Sequence, residues 1–122
     1  MRRPSRATTT RAVSAAFAVW GAVQLVAPEA TVRTVTPDVP EPRAWIVRLL
    51  GARMVLQHGL VLARPTRPVV LAGSAVDALH TASMVPLVLG LPRWRRVALV
   101  SAGSAAVSAL AQLATAPAAP PS

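Results

Sequence analysis

Residues 48–84 read RLLGARMVLQHGLVLARPTRPVVLAGSAVDALHTASM, two apolar runs joined by the turn Arg64-Pro65-Thr66-Arg67-Pro68, each carrying ionisable groups far from its ends. Counted outward from that turn along two antiparallel helices, Arg53 and Asp77 lie about one residue apart in depth, roughly 1.5 Å at helical rise. A lone Arg or Asp at mid-bilayer costs about 2.5–3.5 kcal/mol on insertion scales, so pairing is the natural remedy. A guanidinium can offer a carboxylate two parallel hydrogen bonds. Gln57, one turn from Arg53, and Ser74 and Thr81, beside Asp77, are placed to satisfy the remaining donors and acceptors. His80 stands three residues after Asp77 and shares its helical face. The intramembrane polar cluster read from the sequence is therefore Arg53, Gln57, Asp77 and His80.

Two roles fit such a cluster. A buried ion pair can lock two helices in register, because it contributes more to specificity than to net stability. Alternatively Asp77 and His80 form part of a proton path or an anionic-ligand site, the default reading of ionisable groups inside a membrane. No second carboxylate lies in the spans to complete a proton chain.

The whole chain agrees with a bilayer as solvent. It has 122 residues, enough for one domain, and 53% of them are hydrophobic, with a mean hydropathy of +0.50. That is too apolar for an ordinary soluble protein of this size. There is no cysteine, which excludes disulfides, thiolate metal sites and thiol catalysis. The net charge of +9 comes from thirteen arginines without a lysine. In a soluble protein this would suggest nucleic acid. Here most arginines sit at the ends of apolar segments, where membrane proteins anchor themselves, so the partner is the lipid bilayer and not nucleic acid.

The expected fold is all-α, an integral membrane four-helix bundle with spans at about 12–27, 44–63, 69–91 and 95–115, a basic segment 1–11 and a disordered tail 116–122. The first span competes with a signal peptide, but cleavage after Ala30 would put Pro28 at the minus-three position, where a small residue is required. At 16 residues it is short unless Thr8 to Arg11 join it. Ser14, Ala18, Gly21 and Leu25 give it a face for close packing. Glu29 to Arg43 is too polar and proline-rich to span. Glu29 to Val35 suits a short interfacial helix after Pro28, and the remainder an extended loop. Trp45 and Trp94 begin the second and fourth spans, so both indoles belong to one membrane face, with Arg48 able to snorkel nearby. Pro86 removes a backbone hydrogen bond and is expected to bend the third span beyond the cluster. Ser101, Ser104, Ala105, Ser108 and Gln112 form a packing stripe on the fourth. Arginine counts place Arg2, Arg3, Arg6, Arg11, Arg64 and Arg67 on one side against Arg33, Arg43, Arg93, Arg95 and Arg96 on the other, which favours both termini in the cytoplasm of a multi-pass cell-membrane protein.

No cofactor is expected. His58 and His80 differ in depth by about seven residues, roughly 10 Å, too far for both to ligate one haem iron within a single chain. Asp77 and His80 lack a third ligand for a metal. The blocks Arg48-Leu-Leu-Gly-Ala-Arg53-Met-Val-Leu-Gln57-His-Gly59 and Asp77-Ala-Leu-His80-Thr-Ala-Ser-Met84 resemble small uncharacterised four-helix membrane proteins of high-GC bacteria, of a DoxX-like kind. The resemblance implies a four-helix bundle and no assigned activity. Some DoxX-like proteins are linked to membrane redox complexes, but no cofactor motif accompanies the resemblance here. The expected function is a non-enzymatic accessory or scaffold component, as a homo-oligomer or within a larger membrane complex. The alternatives are a small transporter or proton-conducting module, and a redox-complex subunit.

Overall fold

The computed structural model describes residues 3, 5–35 and 44–119. The proline-rich connection 36–43, Arg2 of the basic segment and the last three residues of the tail lie outside them, so the expected extended loop and the end of the tail are not part of the description. The described residues form α1 (Arg6–Val26), α2 (Pro28–Val35), α3 (Ala44–Ala63), α4 (Arg67–Gly90) and α5 (Arg95–Thr115), with a single 3₁₀ turn Pro92–Trp94 before α5. The protein is all-α. Helices α3, α4 and α5 with its 3₁₀ turn are each long and apolar enough to cross a membrane, whereas α1 reaches that standard only together with α2, from which it is bent by 110°.

Several boundaries have local causes. Helix α1 starts at Arg6 because the Ser5 hydroxyl accepts the Thr8 amide at 3.1 Å, the usual N-cap arrangement. Arg6 to Arg11 of the basic segment are thus helical, which lengthens the first helix to 21 residues. Pro28 opens α2, since its missing N–H is no loss in a first turn. Pro68 plays the same part near the start of α4. That helix runs to Gly90 without interruption at Pro86.

The four long helices alternate in direction and stand round a common interior. Helix α1 packs closely along α3, and α4 along α5, while α3 and α4 approach each other more loosely despite being consecutive. Glycines decide the first of these contacts. A Cβ on Gly51 would lie 2.5 Å from the Gly21 carbonyl oxygen, and one on Gly21 would lie 2.8 Å from the Gly51 carbonyl oxygen. The two backbones therefore touch directly, as small residues permit. Between α3 and α4 the backbones instead leave an open groove of about 480 Å³, lined by Leu56, Leu60, Ala72 and Val76 among others.

The distribution of side chains is the reverse of a water-soluble protein. The largest fully buried side chains are His58, Gln112, Val61, Val70, Thr10, Asp77, Ser14 and Ser108. Leucines face outward, with Leu79 at 72% and Leu89 at 74% exposure.

At the end holding both termini, side chains supply donors to carbonyls that helix ends leave free. Thr10 donates to Thr115 O at 2.7 Å, Arg6 to Ala116 O at 3.2 Å, Arg67 to Pro117 O at 3.1 Å and Arg11 to Leu62 O at 3.3 Å. The negative ends of α5 and α3 favour these cations. Ala116 is consequently buried, against Val61 and Val70. Ala116 and Pro117, where the expected disordered tail begins, thus accept from arginines of α1 and α4.

Candidate functional site

Asp77 sits near the middle of α4 and is almost wholly buried. Its carboxylate collects four hydrogen bonds from two other helices. Arg53 Nη1 of α3 reaches Oδ1 at 3.0 Å. On Oδ2 converge Gln57 Nε2 at 2.9 Å, Ser108 Oγ at 2.5 Å and Gln112 Nε2 at 2.8 Å. Bonds to a charged acceptor are short and about twice as strong as neutral ones, which is what keeps a carboxylate tolerable in a buried position.

Every surrounding polar group is oriented by that charge. Gln57 accepts from Arg53 through Oε1 at 3.1 Å and also donates to the Gly73 carbonyl at 3.1 Å. Gln112 must turn its NH₂ towards the carboxylate, because its carbonyl oxygen would be repelled there. The Gln112 Oε1 is left buried without a partner. It lies against Gly73, where a Cβ would come within 2.5 Å of it, so a side chain at 73 and the Gln112 amide exclude each other. Ser108, having committed its proton to Asp77, accepts from His58 Nε2 at 3.2 Å. The His58 Nδ1 then accepts from Ser14 of α1 at 3.3 Å. Phe17 stacks on the same imidazole with ring centres 5.2 Å apart. One connected network, Ser14 to His58 to Ser108 to Asp77 to Arg53 and Gln57, thus joins all four long helices.

Of the four residues expected in the cluster, the structure brings Arg53, Gln57 and Asp77 together. His80 does not contact the carboxylate. Its Nε2 is 2.8 Å from Ser101 Oγ, and it is only half-buried. The physical reason is rotation: residues at i and i+3 are about 60° apart round a helix, enough for Asp77 to face the bundle centre while His80 faces the outer half of α5. Ser74 and Thr81 are likewise engaged elsewhere. Ser74 donates to Ala109 O at 3.0 Å, and Thr81 to Asp77 O at 2.9 Å and Ala102 O at 3.3 Å. Their places are taken by Ser108 and Gln112, which the sequence presents as a packing stripe, and by His58. At the end bearing α2, Trp45 and Arg48 are exposed and Trp94 is half-buried beside Arg93.

This arrangement gives a ranking. His58→Ala removes a fully buried ring and leaves the buried Ser14 hydroxyl without its partner, an expected loss of about 2–5 kcal/mol. His80→Ala removes one part-exposed bond and should cost about 1 kcal/mol or less. Reversible unfolding of the two variants in mixed detergent micelles compares them directly, and equal losses would contradict the network described above.

The class defined by these features is an all-helical protein with an apolar exterior and a charged, hydrogen-bonded centre. Comparison with protein-family models, with curated proteins and with solved structures finds no match to the chain.

Proposed function

We propose that the chain is an integral membrane protein of four spans, with α1 as the first span and α2, bent from it by 110°, as a short interfacial helix, and that it serves as a non-enzymatic accessory or scaffold component. The observation that carries the reading is the engagement of Asp77: four donors from α3 and α5 meet its two oxygens, so the carboxylate acts as the common acceptor on which three helices are assembled. Lipid offers no hydrophobic drive between helices, so van der Waals packing and interhelical hydrogen bonds must supply the association. The leucine-covered exterior and the polar interior both suit that solvent. The likeness of residues 48–59 and 77–84 to small DoxX-like membrane proteins points to the same architecture. Both termini lie in the cytoplasm in this reading, with Arg6, Arg11, Arg64 and Arg67 at the inner surface.

The chain should stay in the membrane fraction through an alkaline carbonate wash, and a thiol placed by Leu79→Cys should resist a membrane-impermeant methanethiosulfonate from both sides. Release into the wash, or ready labelling at position 79, would sink the membrane reading. The accessory role is tested by cross-linking in the native membrane, which should capture a recurring protein partner or a second copy of the chain.

A further inference from the structure

The groove of about 480 Å³ between α3 and α4 falls within the range of about 300–1,000 Å³ usual for ligand sites. Leu56 and Leu60 of α3 and Ala72 and Val76 of α4 line it and are exposed, so it opens sideways, where the four-span reading puts lipid. Helix α3 lines it from Arg53 to Ala63, a length of about 15 Å at helical rise. That is half of a hydrocarbon core of about 30 Å, so the groove runs from the end bearing the α3–α4 turn to mid-bilayer. Spread over this length, its volume corresponds to a width of about 6 Å. A helix with its side chains is about 10–12 Å across and does not enter. A single hydrocarbon chain, whose carbons meet their neighbours at about 4 Å, does.

Charge at the surface end selects among amphiphiles. The groove is bounded there by Arg64. Arg6, Arg11 and Arg67 of the same end donate to the Ala116, Leu62 and Pro117 carbonyls. Arg64 is exposed and its guanidinium donates to no described residue. Helix α4 begins beside it, with Val69 in the lining and no side-chain cap from Thr66, so the positive end of that helix adds to the same field. Among the described residues no acid stands at this end, since Glu29 belongs to α2 and Asp77 to the bundle centre. Asp38 and Glu41 belong to the connection that joins α2 to the start of α3, at the opposite end. An apolar slot one leaflet long, with an unspent cation at its surface end, is complementary to an anionic head on a hydrocarbon tail.

We propose that the α3–α4 groove holds one acyl chain of an anionic phospholipid from the leaflet on the terminal side, with the headgroup phosphate on Arg64 and the chain running along Leu60 and Leu56 against Ala72 and Val76. The site rests on the four-span reading and adds to it a lipid class and a leaflet. Any lipid tail can enter a groove that is open to the bilayer. Arg64 makes retention depend on headgroup charge, by about fivefold for one cation at the membrane surface.

The test is native mass spectrometry of the full chain in detergent, titrated with dioleoyl phosphatidylglycerol or dioleoyl phosphatidylcholine, whose tails are identical. One phosphatidylglycerol should be retained per chain, about fivefold more tightly than phosphatidylcholine. Arg64→Gln should reduce that preference to less than twofold. Ala72→Phe and Ala63→Phe, each filling the groove from an exposed position, should lose the retained lipid, while Leu79→Phe on the outer face of α4 should keep it. Far-ultraviolet circular dichroism shows which variants are folded, and either groove variant suffices alone. Equal retention of the two lipids, an undiminished preference in Arg64→Gln, or retention unchanged in a folded groove variant each overturns the site. A lipid-free dimer dispersed by Ala72→Phe would put a second copy of the chain in the groove and overturn it equally. If Leu79→Cys stays unlabelled in vesicles the four-span reading survives that loss, and if it reacts the reading fails as well.

Discussion

Asp77→Ala is expected to lose about 3–5 kcal/mol of stability, because it leaves the Arg53 charge without its counter-ion and strips the shared acceptor from Gln57, Ser108 and Gln112. The loss can be read as a shift in reversible unfolding by sodium dodecyl sulfate in mixed micelles, followed by far-ultraviolet circular dichroism. A more discriminating result concerns rescue. For an isolated ion pair, exchanging the charges as Arg53→Asp/Asp77→Arg restores the contact. In this protein it should not, since three neutral donors already point at the site of residue 77 and would meet a guanidinium donor to donor. Replacement of both by leucine should fail for a related reason: the same three groups would lose their shared charged acceptor and keep only weaker neutral contacts, a cost of about 1–3 kcal/mol. Full recovery in either double variant would show that the pair acts alone and that the surrounding donors are incidental.

Gly51→Ala should be the most damaging of the single-methyl additions. The new Cβ would sit 2.5 Å from the Gly21 carbonyl oxygen and 2.9 Å from both the Gln24 Cβ and the Leu25 amide nitrogen. Two of those three neighbours are backbone, which cannot rotate aside, so α1 and α3 must separate. Overpacking of this kind costs about 1–3 kcal/mol. Separation of the helices would also lengthen the 3.3 Å contact between Ser14 and His58. Gly59 belongs to the same helix and has nothing within 4 Å of its Cβ position. Gly59→Ala should therefore be neutral, or stabilising by about 0.5–1 kcal/mol through helix propensity. Melting the two variants side by side separates close approach from propensity, and similar behaviour would refute the tight α1–α3 contact.

Much of the architecture was legible in the chain because it depends on local chemistry. Apolar runs of sufficient length, bounded by arginine, proline and tryptophan, mark α3, α4 and α5, and the depth match of Arg53 and Asp77 follows from counting residues from the shared turn. Pro28 marks the start of α2 for an equally local reason. Where the reading stopped short, the missing information was relational. Ser108 and Gln112 look like small or neutral packing residues until α5 is turned so that they meet Asp77. Nothing within α5 announces that orientation. Gly51 differs from Gly59 only in what lies opposite it on α1.

The sequence by itself determined that the chain is helical, how long the helices are and how deep along each one a given side chain lies, because rise per residue and apolar length are properties of a single segment. Only the tertiary structure decided which histidine joins the charged centre, which glycines carry a contact and where a groove remains between α3 and α4. Those outcomes depend on the rotation of each helix about its own axis, which is set by what it packs against, so four helices have to be in place before any of them is defined.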